Sequence, residues 1–163
     1  MLLCAYEKTY GKLVRAQIIR SLKVHAFVFL GLILVQFWLG MTINLEVSLP
    51  TLSYGGFSAL IFYLAHFWLV ISHAIIAIVI LAVSAKFLMI SFKSGSRALV
   101  VTGSIGLAAV LGAIYNGVAF LTSDQFFGNS IGMAMSAISA VVAYAVSLYY
   151  IGSIQSENAA MRI

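Results

Sequence analysis

Three histidines, His25, His66 and His73, are the most versatile chemical groups of this 163-residue chain, and all lie within or at the edge of long stretches free of Asp, Glu, Lys and Arg. Ionisable groups placed in hydrocarbon are costly, which makes them functional-site candidates. Neutral imidazole is a good ligand for metals, including the iron of haem. His66 and His73 are seven residues apart, two helical turns or about 10.5 Å on one face of a continuous helix. That spacing is too long for one shared metal ion and suits one extended cofactor or two separate ones. A haem held by two imidazoles needs them on facing helices at similar depth. His25 is the candidate partner from another stretch, about 10 Å from His73 in depth at 1.5 Å per residue. For His66, the thioethers of Met41, Met133 and Met135 are alternative axial ligands. The purely structural reading has the imidazoles bonding across helices to Gln36, Ser72 or Asn116, with Phe62, Phe67 and Trp68 as packing.

The elements that position these groups follow from composition. With 63% hydrophobic and 8% charged residues and a mean hydropathy of +1.11, the chain lies far from soluble domains, where about a quarter of residues are charged. Its basic residues fall in three clusters: Lys8, Lys12, Arg15, Arg20 and Lys23; then Lys86, Lys93 and Arg97; then Arg162. The intervening connections carry only Glu46 and Asp124. Cytoplasmic loops are enriched in Lys and Arg, so the sequence predicts an all-α, four-helix transmembrane bundle, multi-pass in the cell membrane, with both termini inside. The net charge of +5 is concentrated on one membrane side. It therefore points to anionic lipid rather than nucleic acid as partner. Cys4 is the single cysteine, which excludes an internal disulfide. No cleaved signal sequence is expected, because the apolar run after Lys23 is too long for one.

The whole chain, 1–163, reads as one integral membrane domain. Residues 1–22 read as an interfacial amphipathic helix, with Lys8, Lys12 and Arg15 on one face and Tyr6, Tyr10, Leu13 and Gln17 opposite. Spans are predicted over about 24–45, 57–92, 99–121 and 130–151. Ser48, Pro50, Thr51, Ser53, Gly55 and Gly56 mark the first outer loop, Ser94-Gly95-Ser96 the inner turn, and Asp124, Gly128 and Asn129 the second outer turn. The charge-free run 47–85 is too short for two spans and a turn, so 57–92 is read as one long helix, with Lys86 reaching back to the surface.

The two hairpins differ in texture. The first is bulky, with Phe27, Phe29, Phe37, Trp38, Phe62, Phe67 and Trp68; the second carries Gly103, Gly106, Gly112 and Gly117 facing Gly132, Ser136, Ala140 and Ser147. Small residues three or four apart let helices approach closely in lipid, so the second hairpin is predicted to pack tightly. The spans contain no central carboxylate, which disfavours an ion or proton pump. Phosphate-binding Gly loops, zinc-ligand spacings, HExxH pairs and serine elbows are missing too, so the chain is not expected to be an enzyme on its own.

The stretch from His25-Ala26-Phe27 through Gln36-Phe37-Trp38-Leu39-Gly40-Met41 to Asn44-Leu45, followed by His66 and His73, resembles one four-helix half of the haem A synthase group and of small b-type membrane cytochromes. The resemblance covers the first half of the chain, and the last two spans carry no histidine. It implies a small component of a respiratory or energy-converting membrane complex, with haem b as cofactor held by His66, His73 or His25. The alternatives are a non-catalytic subunit packing against other integral membrane subunits, and a small transporter or channel.

Overall fold

The computed structural model describes residues 2–47, 49, 56–123 and 125–160, and side chains over 14–47, 49, 56–123 and 125–156. Within them the elements are α1 (Leu2–Glu46), α2 (Phe57–His66), α3 (Trp68–Ser94), α4 (Arg97–Thr122) and α5 (Phe127–Ala160). Four segments, Val14–Glu46, Trp68–Ser94, Arg97–Thr122 and Phe127–Ser156, are long and apolar enough to cross a membrane. The chain is thus a multi-pass helical membrane protein. The amphipathic pattern expected over 1–22 rests largely on side chains outside the described ones; the backbone passes from Leu2 into the first span without a break. Ser48, Pro50, Thr51, Ser53, Gly55 and Asp124, placed in the predicted outer turns, also lie outside the described residues.

The spans form a ring. α1 packs on α3 and α5, α4 packs on α3 and α5, and neither diagonal pair comes into backbone contact among the described residues. Leu22, Leu99 and Ile151 share one core cluster, and Thr102 meets Ser147. The start of the α1 span, the α3–α4 turn and the end of α5 therefore lie at one end of the bundle. Exposed Arg15, Arg20, Lys23, Lys86, Lys93 and Arg97 make that end basic. The α3–α4 turn closes as expected, with Gly95 left-handed at φ 70 and the Ser96 backbone N–H donating to Ser94 Oγ at 3.2 Å.

The predicted single helix over 57–92 is corrected: it breaks at Phe67, whose φ of −118 and ψ of 100 are extended. A straight helix from residue 57 to residue 94 would reach about 57 Å, nearly twice the hydrocarbon thickness of about 30 Å. α2 instead folds across the end of the bundle opposite the basic one. The Gly56 N–H donates to the carbonyl of Thr122 at 3.2 Å, and Ala59 and Tyr63 are buried with Val70 beside Leu121, Ile43 and Leu49. The break leaves little backbone unsatisfied. Phe67 N–H closes α2 on Tyr63, and its carbonyl accepts from Val70 and Ile71 to open α3. Gln125 Nε2, in the α4–α5 turn, reaches both the Leu49 carbonyl and the Tyr63 hydroxyl at 3.3 Å.

The α4–α5 contact is the most extensive in the bundle, as the small residues predict. A Cβ on Gly112 would sit 3.1 Å from Ser136 Oγ, and one on Gly117 would sit 3.3 Å from Met133 Sδ. At the centre, Tyr144 of α5 stacks on Phe29 of α1 at 3.8 Å and meets Phe87 of α3 edge-on at 4.9 Å. Gly106 of α4 completes this arrangement, since a Cβ there would approach Tyr144 Cε2 to 2.5 Å. All four spans thus converge on one fully buried phenol ring.

Candidate functional site

The three imidazoles are set at different places on the bundle. His73, in the second turn of α3, turns toward α1, where its Cε1 lies 3.3 Å from the position a Cβ would take on Gly40. The glycine leaves room for the ring. Gln36, one turn along α1 from Gly40, donates from Nε2 to the His73 backbone carbonyl at 3.1 Å. Its Oε1 and the imidazole Nδ1 of His73 are buried without a hydrogen-bond partner. Gln36 is thus the interhelical partner that the sequence suggested, but it meets the backbone of His73 rather than the ring.

His66 ends α2 and is exposed. Its Nδ1 bonds the Phe62 carbonyl at 2.9 Å, and its ring stacks on Phe62 at 4.3 Å. His66 and His73 lie on separate helices because of the break at Phe67, not on one face of a continuous helix. Of the thioethers considered for His66, Met41 and Met135 are exposed on α1 and α5, and the Met133 sulfur lies against Gly117. Ser72 and Asn116 spend their hydrogen bonds on carbonyls of their own helices, those of Trp68 and Gly112.

His25 sits near the basic end. Its Nδ1 bonds the Ser21 carbonyl at 2.8 Å. Along α1 it is eleven residues, about 16 Å, from the Gln36 that touches His73. The structure therefore does not bring His25 and His73 together, nor His66 to either. No group of three or more His, Cys, Asp or Glu that could hold a metal occurs among the described residues.

Phe29, Tyr144 and Phe87 pack on one another among the spans, and none of the three imidazoles is among the ring contacts of Tyr144. What the sequence could not reveal is the company His25 keeps. With Val24 and Val28 of α1 and Ile78, Val79, Ala82, Val83 and Lys86 of α3, it lines an open groove of about 360 Å³ on the outer surface of the bundle. Tyr144 was likewise invisible as a central residue, since only the tertiary contacts distinguish it from other span aromatics.

The fold and these sites define a class: a four-span helical bundle with three separated imidazoles and an aromatic cluster at its centre. No protein family, curated protein or solved structure matches this chain in the comparisons made.

Proposed function

We propose that this protein is a non-catalytic subunit of a larger membrane assembly, acting through its outer surface rather than through its interior. The observation that carries this reading is the packed centre: Phe29, Phe87 and Tyr144, each with 0% of its surface exposed, pack on one another among the four spans. A transporter or channel of this size needs a polar route along that axis, and an intramembrane enzyme needs a cavity there. The basic end belongs on the cytoplasmic side by the distribution of Lys and Arg. The resemblance of the first half to haem A synthase halves supports a respiratory or energy-converting assembly.

Solubilisation in mild detergent tests the reading. The protein is expected to co-purify with other integral membrane proteins at fixed stoichiometry. Recovery as an isolated species that by itself drives solute flux in proteoliposomes would overturn it.

A second reading keeps b-type haem, and a specific feature favours it. His25 and His66 each fix Nδ1 on the carbonyl four residues earlier, which leaves Nε2 of each free to ligate iron at the bundle surface. The chain's part would be to supply one axial nitrogen to a haem held against its outer surface, and that group would supply electron transfer. This reading predicts a Soret band that shifts on reduction and is lost in His25→Ala or His66→Ala; folded, colourless protein recovered with its partners would reject it.

A further inference from the structure

The groove between α1 and α3 is polar at one end and apolar along the rest. α1 and α3 run antiparallel, so His25 and Lys86 both lie toward the end nearer the basic side of the bundle, while Val28, Ile78 and Val79 lie at the other. Lys23 and Arg20, both exposed, precede the groove on α1. Lys86 is eight residues from the end of α3, about 12 Å by helical rise. A cation at that depth reaches the interface along its own stem or is met by an anion from the lipid. Among the described residues the nearby ionisable groups on the two helices are all basic or imidazole, and no carboxylate lines the groove.

We propose that this groove is a binding site for one anionic phospholipid, with the phosphate held by Lys86 at the polar end and an acyl chain lying along Val28, Ile78, Val79, Ala82 and Val83. Charge complementarity and the order of the lining select this occupant. An apolar helix from a partner would leave Lys86 without a counter-charge, whereas a lipid supplies the anion and the chain in one molecule. The site differs from general electrostatic attraction to a basic surface because its walls hold the tail as well as the headgroup. The inference rests on the chain spanning a membrane and not on the subunit reading above.

Native mass spectrometry of the full chain, equilibrated in detergent with equal phosphatidylglycerol and phosphatidylcholine, tests it. The wild type retains one phosphatidylglycerol per chain. Lys86→Gln lowers that occupancy about five-fold relative to phosphatidylcholine. Val79→Trp, which fills the groove from an exposed position and leaves the core intact, abolishes retention of either lipid. Lys93→Gln, an exposed cation outside the groove, leaves occupancy unchanged. Circular dichroism confirms that each variant is folded. Equal loss in Lys86→Gln and Lys93→Gln, retention of lipid by Val79→Trp, or a coloured cofactor displaced by Val79→Trp would each overturn the assignment.

Discussion

Replacing Gly106 by alanine tests whether Tyr144 is the centre of the bundle. The added Cβ would lie 2.5 Å from Tyr144 Cε2, 3.1 Å from Cδ2 and 3.2 Å from Cζ. The ring cannot retreat, because Phe29 covers one face at 3.8 Å and Phe87 closes on it at 4.9 Å. Overpacking of this kind costs about 1–3 kcal/mol. Alanine recovers up to about 1 kcal/mol over glycine through helix propensity. The net expectation is a loss of up to about 2 kcal/mol, with the ring pressed against Phe29. Gly31→Ala is the matched control on α1, where a Cβ meets nothing within 4 Å. There only the propensity gain remains, so that variant is neutral or slightly stabilised. Equilibrium unfolding in mixed micelles of mild detergent and dodecyl sulfate, followed by circular dichroism, measures both. In a Tyr144→Leu background, Gly106→Ala should cost less than about 0.5 kcal/mol, which gives a coupling energy near that of the single substitution. Agreement of Gly31→Ala and Gly106→Ala within about 0.5 kcal/mol, or absence of coupling to residue 144, would refute the reasoning.

Other substitutions probe the remaining contacts. Gly132→Ala would drive a Cβ into the side-chain amide of Asn116, and is expected to lower stability by about 1–3 kcal/mol in the same assay; Asn116→Ala should largely relieve it. Gln36→Leu removes an interhelical hydrogen bond of the kind that averages about 0.6 kcal/mol in membranes, but also removes a buried, unpartnered Oε1. Its stability is therefore expected within about 0.5 kcal/mol of wild type, and a loss above about 2 kcal/mol would show that the Gln36 amide has a partner of greater importance. Labelling with a membrane-impermeant maleimide should modify Cys4 and Ser96→Cys from the same side of the membrane, and Ser123→Cys, in a Cys4→Ser background, from the other. Labelling of residues 96 and 123 from one side would contradict the arrangement of the spans.

Much of the architecture was legible because it depends on partition of short segments between water and lipid. The third span predicted over 99–121 is α4 at Arg97–Thr122, and the turn at Ser94-Gly95-Ser96 forms around a left-handed Gly95. The tight second hairpin was also foreseeable, since small residues at helical spacing permit close approach whatever lies opposite. The break at Phe67 carries no Pro or Gly, and propensity alone would have continued the helix. Length was the available signal: a helix much longer than the hydrocarbon layer must bend, tilt or stop, and here it stops where Tyr63 and Ala59 can be buried.

Four long apolar segments, the clustering of basic residues between them and the scarcity of polar groups within them could all be read from the chain alone. These properties belong to windows of about 20 residues and to the solvent around them. Which side chains meet is settled by how the helices pack. That packing separated His25, His66 and His73, placed Tyr144 among Phe29, Phe87 and Gly106, and set His25 and Lys86 along one groove. Those outcomes depend on how each helix is rotated and shifted against its neighbours. Rotation is fixed by the shape of facing surfaces, and a hydrophobic sequence in a hydrophobic solvent carries little record of that shape in its periodicity.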